Sequence, residues 1–130
     1  TLVAAAGRNS NLLLNTGPMP NGRLQPENIA TYREIGSWLA RFGESVYGTR
    51  GGPLPPADWG VTTHNEDAVF LHVLDDAVDT VRIELDGGLA AATYLADGRT
   101  LDVRRDGAAR IVSLPPAEPG DLVRVVRLSR

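Results

Sequence analysis

The sequence has no cysteine, only 5% aromatic residues, one methionine and no long apolar run. Without cysteine there are no disulfides and no thiol chemistry, and the redox compartment stays open. No stretch approaches the roughly 20 apolar residues that cross a bilayer as a helix. Leu2–Ala6 is too short for a signal-peptide core and has no basic residue ahead of it. Soluble localisation follows, with periplasmic, secreted and cytoplasmic compartments all left open. Basic excess is missing too. The net charge is −3, which gives no electrostatic case for nucleic acid or an anionic membrane as partner. With 130 residues, 42% hydrophobic and 22% charged, the chain is about one domain long and can bury a modest core. It opens on Thr1 and not on methionine, which suggests a processed or truncated product.

What is present begins with Asn11-Leu12-Leu13-Leu14-Asn15, followed by Thr16-Gly17-Pro18. A short apolar run closed by turn residues reads as a strand buried on both faces, the kind found in parallel sheets covered by helices. Ahead of it, Leu2–Ala6 reads as the end of a helix with Gly7 as C-cap. After it, residues 17–22 form a loop rich in turn residues. Pro26 then suits the first position of a helix, and Glu27 complements the positive end of its dipole. Ile29, Tyr32, Ile35, Trp38, Leu39 and Phe42 recur at steps of three and four, predicting one buried stripe, and Gly43 is placed as the C-cap.

The Gly51-Gly52-Pro53-Leu54-Pro55-Pro56 stretch is the best boundary in the chain, read as a stiff spacer over residues 51–57. Beyond it the period changes from helical to alternating. Strands are expected at residues 59–63, 68–74, 80–85, 90–95, 100–104, 109–114 and 122–128. Turn signals separate them: His64–Asp67, Asp86-Gly87-Gly88, Asp97-Gly98 and Asp106-Gly107. Short strands at this spacing predict an antiparallel β-sandwich over residues 58–130. One strand-loop-helix unit in residues 1–50 therefore stands without a parallel neighbour.

Candidate chemistry is thin. His64 and His72 match no zinc spacing. Asp75, Asp76 and Asp79 form an acidic loop that lacks the glycine and terminal glutamate of an EF-hand, so a plain turn is the better reading. No metal site and no cofactor is expected. Paired carboxylates in an apolar pocket, as glycoside hydrolysis needs, are not indicated, and no serine has a nucleophile-elbow context. No phosphate-binding glycine loop is present. Arg124, Arg127 and Arg130 read as a solvated strand face.

Three groups of residues carry a resemblance. They are Asn11-Leu-Leu-Leu-Asn-Thr-Gly-Pro-Met-Pro-Asn-Gly-Arg23, then Tyr32-Arg-Glu-Ile-Gly-Ser-Trp-Leu39, and Gly43-Glu-Ser-Val-Tyr-Gly-Thr-Arg50. In this order they resemble the end of the catalytic barrel of the α-L-fucosidases, glycoside hydrolase family 29. Trp59–Thr63, Phe70–Leu74 and Tyr94–Gly98 are similar to that family's C-terminal sandwich. The resemblance implies an α+β fragment: the last βα unit of a (β/α)8-like barrel in residues 1–50, a linker at 51–57, and the sandwich. It implies a retaining hydrolase of α-L-fucosides whose nucleophile and acid/base lie upstream of Thr1, so no catalytic residue is assigned here. The partners it implies are the rest of the barrel and, for the whole enzyme, a fucosylated glycan; a homo-oligomer is possible. Barrel active sites sit at the C-terminal ends of the strands, which places Asn15, Thr16 and Gly17 near the sugar. The plainer role is that Asn15 ties down the loop backbone. The alternative to a catalytic support is a non-catalytic sandwich for glycan binding, oligomerisation or structural contacts. Residues 1–50 are expected to need a partner chain or docking onto the sandwich to fold.

Overall fold

A computed structural model describes residues 1–85 and 91–129. The expected Asp86-Gly87-Gly88 turn, Ala90 and Arg130 lie outside the described residues. Three helical pieces come first: α1 (Leu2–Gly7), α2 (Pro26–Phe42) and a 3-10 turn (Gly43–Ser45). Among the described residues nine strands follow: β1 (Arg50–Gly51), β2 (Gly60–His64), β3 (Ala68–Val73), β4 (Thr80–Ile83), β5 (Ala91–Tyr94), β6 (Thr100–Leu101), β7 (Val103–Asp106), β8 (Ala109–Ser113) and β9 (Arg124–Ser129).

Among the described residues all pairings are antiparallel. One sheet has the order β1-β2-β3-β9-β5-β6 and the other β4-β8-β7. Val69, Leu71 and Val73 of β3, with Val126 and Leu128 of β9, meet Val81, Ile83 and Val112 of the smaller sheet in one apolar core. The alternation in β4 works as expected: Val81 and Ile83 point inward, and Arg82 points out. Turn chemistry holds as well. Asn65 Oδ1 accepts from the Asp67 and Ala68 amides at 3.0 and 2.9 Å, closing the β2–β3 hairpin. Gly107, at φ +60°, turns β7 into β8. The strand expected over residues 100–104 is split at Asp102, whose carbonyl accepts the Ser113 amide at 3.0 Å.

The leucine run is where the sequence reading fails. Residues 11–15 form no strand, and Leu13 is 84% exposed. A strand exists only where a neighbour takes its hydrogen bonds, and no described residue pairs with this segment. Burial on both faces belongs instead to β3, in which all six residues Ala68–Val73 are buried. One face of β3 meets the second sheet. The other meets the N-terminal helical pieces. The large sheet is thus the middle layer of three, with the N-terminal helical pieces packed on one side of it.

One of the two glycines assigned to helix ends acts otherwise. Gly7 is the last residue of α1, not its cap. A Cβ there would run into the Val61 side chain, with Cγ2 at 2.6 Å, and would lie 3.2 Å from the Thr62 carbonyl. Close approach of α1 to β2 therefore demands glycine at this position. Gly7→Ala should force α1 off the sheet and cost about 1–3 kcal/mol, typical of overpacking. Faster hydrogen exchange along α1 than in wild type would register it; unchanged exchange would refute the packing account. Gly43 is the C-cap of α2, as expected; it keeps helical dihedrals (φ −59°, ψ −27°), its N–H donates to the Leu39 carbonyl, and it passes α2 into the 3-10 turn. The α2 stripe is also less covered than expected. Only Phe42 is buried, while Ile29, Tyr32, Ile35, Trp38 and Leu39 are half-buried.

Residues 51–57 are not a free spacer. Arg50 and Gly51 pair with His64 and Thr63. Gly52 N–H donates to the Thr62 carbonyl at 3.0 Å, and the Leu54 amide donates to Thr62 Oγ1 at 3.2 Å while its carbonyl accepts from that hydroxyl at 3.1 Å. The proline stretch is stitched along the edge of the sheet.

Candidate functional site

Asn15, Thr16 and Gly17 lie in the exposed segment between the leucine run and α2. Two residues one turn apart on α2 hold that segment. Asn28 Nδ2 donates to Thr16 Oγ1 at 2.6 Å, and Tyr32 OH donates to the Leu14 carbonyl at 3.0 Å. The sequence assigned this tying role to Asn15; Asn28 and Tyr32 perform it, and the i, i+4 spacing that puts them on one face was the signal. A Cβ on Gly17 would meet nothing within 4 Å, so its surroundings are open. The structure brings Thr16 to the helix but builds no enclosed pocket from these three residues.

The two histidines do not converge. His72 pairs with Val61, so it shares a face with Val61 and Thr63, and His64 lies on the opposite face of β2. His72 is fully buried. Its Nε2 lies 2.9 Å from Thr63 Oγ1, and that hydroxyl donates to the Ser45 carbonyl at 2.6 Å. A hydroxyl has one proton. Once it is given to Ser45, the imidazole must donate from Nε2, which leaves Nδ1 a bare, unpartnered lone pair. A second proton on Nδ1 would be buried without an acceptor. Burial accordingly lowers the His72 pKa to about 4, only partly offset by the Ser45 carbonyl. This relay is the polar seam between the 3-10 turn and the sheet.

Arg124 and Arg127 cannot share a face, because residues three apart on a strand point to opposite sides. Arg127 lies near Glu44 at 3.8 Å. Arg124 is 1% exposed, correcting the solvated-face reading. Its Nη1 donates to the Pro115 carbonyl at 2.8 Å and its Nη2 to the Asp75 carbonyl at 2.6 Å, clamping two loops together. The acidic loop is a turn: Asp75 Oδ1 accepts the Ala77 amide at 2.9 Å. A cavity of about 580 Å³ beside it is lined by Asp76, Asp79, Glu118, Asp121 and Arg124. Tyr94 OH reaches towards Asp121 Oδ2 at 3.5 Å; burial first, then that carboxylate, raises the Tyr94 pKa.

A second hollow, of about 430 Å³, runs between α2 and residues 120–123, with Trp38, Phe42, Glu34 and Arg41 on its helix side. The Trp38 and Phe42 rings are 5.3 Å apart, and Arg41 Cζ sits 4.8 Å over Phe42. Sequence reasoning placed Trp38 in a covered core and so missed this surface. Among the described residues no carboxylate is buried, and no three histidine or acidic side chains cluster as metal ligands.

Among the described residues the geometry is that of a layered antiparallel β-sandwich with a helical cover. Comparison with known proteins then shows what the chain is similar to. Residues 1–44 match the family model Alpha-L-fucosidase. α-L-Fucosidase isoenzyme 1 from Paenibacillus thiaminolyticus superposes with a TM-score of 0.83 at 27% identity, covering 96% of this chain and 32% of that one. The family 29 α-L-fucosidase from Bacteroides thetaiotaomicron gives 0.84 at 28% identity, covering 98% and 30%. Thermotoga maritima α-fucosidase shares the fold, with a TM-score of 0.79 at 21% identity, covering 97% and 32%. Curated sequences give no match. The resemblance to the family 29 α-L-fucosidases therefore holds over nearly the whole chain, and the chain spans about a third of the length of the structures it matches.

Proposed function

We propose that this chain is the C-terminal part of a retaining α-L-fucosidase and that its role is to brace the catalytic barrel. In this reading residues 1–50 close the barrel, residues 51–57 join it to the sandwich, and residues 58–130 support it. The observation that carries the reading is likeness to α-L-fucosidases at 27–28% identity over 96–98% of the chain. A related enzyme has been captured as a covalent intermediate, the species a retaining glycosidase forms. Two open surfaces support the bracing role. The leucines at 12–14 and the half-covered stripe of α2 forgo about 1.5–3 kcal/mol for each large side chain that burial would return. Barrel strands and helices are the occupants that the reading supplies, and Leu12–Leu14 would pair as a strand once a neighbour is present. Asn15, Thr16 and Gly17 would then stand at the sugar end of that strand, held by Asn28 and Tyr32. The nucleophile and the acid/base belong to the rest of the barrel.

Exchanging this chain for the matching third of the Bacteroides thetaiotaomicron enzyme tests the proposal. The chimera should hydrolyse 4-nitrophenyl α-L-fucoside, and this chain alone should release no nitrophenol. Turnover by the isolated chain, or a well-folded chimera without turnover, would overturn the reading.

A further inference from the structure

The β7–β8 hairpin sets Arg105 directly opposite Arg110. Directly opposed side chains share a face with Cβ atoms about 4.5–5.5 Å apart, and two like charges in that arrangement cost stability. Nothing described offsets them. Ion pairs among the described residues engage Arg82, Arg99 and Arg127 but neither of these two. Asp106, the hairpin's own acid, is turned to Arg82 at 3.1 Å. Arg110 is half-buried, and its Nη1 donates to the Ala109 carbonyl at 3.1 Å, which fixes the guanidinium on the hairpin; Arg105 is exposed. Ile83, opposite Arg110, is buried in the core, so the pair lies on the inward side of the smaller sheet, beyond the core's margin, where Arg105 is exposed.

We infer that this arginine pair binds an oxyanion carried on a sugar chain, a sulfate ester or a carboxylate. Two guanidinium forks facing the same side offer several N–H donors to one oxyanion, and the anion turns their mutual repulsion into two charge-assisted contacts. The net charge of −3 works against indiscriminate capture of polyanions, so binding depends on this local pair. The choice of a sugar as carrier rests on the proposed function. The pair is remote in sequence from Asn15–Gly17, and the proposed function gives it no catalytic role.

Calorimetry on the whole chain at low salt, with three probes, tests the site. A sulfated dextran oligosaccharide should bind, neutral dextran of the same length should not, and inorganic sulfate should bind more weakly than the sulfated sugar. Arg105→Gln with Arg110→Gln should weaken the sulfated probe by at least about tenfold, the loss of charge-assisted hydrogen bonds. Arg105→Glu should keep or raise Tm by creating a cross-strand ion pair with Arg110, yet abolish binding. That variant separates a binding role from a structural one. Equal binding of neutral dextran, or full binding by the double Gln variant, overturns the site; inorganic sulfate matching the sulfated sugar overturns the sugar carrier. The double Gln change made in the chimera should leave aryl-fucoside hydrolysis unchanged, so failure here is distinguishable from failure of the fucosidase reading.

Discussion

Replacing Gly60 with alanine should remove more than about 4 kcal/mol of stability, enough to lower Tm by roughly 10–20 °C or to prevent folding altogether. The clash is with backbone. A Cβ at this position would overlap the His72 carbonyl oxygen and approach the His72 carbonyl carbon at 3.1 Å and the Leu74 amide at 3.3 Å. No rotamer change relieves it. Gly60 also holds φ +151° and pairs with Val73, so relief means opening the β2–β3 ladder from its first rung. That ladder lies in the middle layer, where both faces are dry. Gly107→Ala is the matched control. It carries φ +60° with open space around its Cβ, so only the left-handed backbone penalty of about 1–2 kcal/mol applies. Thermal unfolding followed by circular dichroism compares the two; equal losses would refute the backbone-clash account of Gly60.

Acid should loosen the protein through His72. The fold favours the neutral ring, with a pKa of about 4, and the unfolded chain takes its proton near 6.5. Between those values the unfolded state binds more protons, so stability falls as pH falls. The contribution is fully present above about pH 6.5, declines through that window and is exhausted near pH 4. It amounts to roughly 3 kcal/mol, since one pKa unit is 1.36 kcal/mol. The groups flanking His72 on this face are Glu44 and Arg127; the α1 residues are apolar. His72→Leu separates the histidine from the other acid-sensitive groups. It removes the orphaned Nδ1 and keeps the Thr63–Ser45 hydrogen bond, so stability at pH 7 should hold. The difference between wild type and variant in denaturant midpoint should then shift by roughly 3 kcal/mol between pH 7 and pH 4. Parallel pH profiles would sink the assignment.

What the sequence could disclose follows the range of the interactions involved. Hairpin turns at Asn65 and Asp106-Gly107, the helix start at Pro26 and the alternation of Val81, Arg82 and Ile83 are local, and all are seen in the fold. Double-faced burial is not local. Leu12–Leu14 and Ala68–Val73 are both short apolar runs, and only the presence of neighbours decides which one is enclosed. His72 sits within the second run, where a buried polar relay through Thr63 and Ser45 absorbs it. Arg124 misled because its charge outweighed its phase: Arg124, Val126 and Leu128 share the core-facing side of β9, which alternation alone would have indicated. The reasons for Gly7 and Gly60 are contacts with β2 and β3, invisible until the layers are assembled. For the segment holding Asn15–Gly17, the sequence did not disclose Asn28 and Tyr32, whose side chains bond Thr16 and the Leu14 carbonyl.

The stitching of residues 50–54 onto β2 bears on how such chains can be cut and recombined. A gene fragment starting at residue 58 would look like a clean sandwich, yet it would strip the border from β2 and leave the Thr62–His64 backbone bare. An unguarded sheet border recruits other strands. Swaps that carry the proline stretch along with the sandwich should stay monodisperse, and those that divide the two should clump.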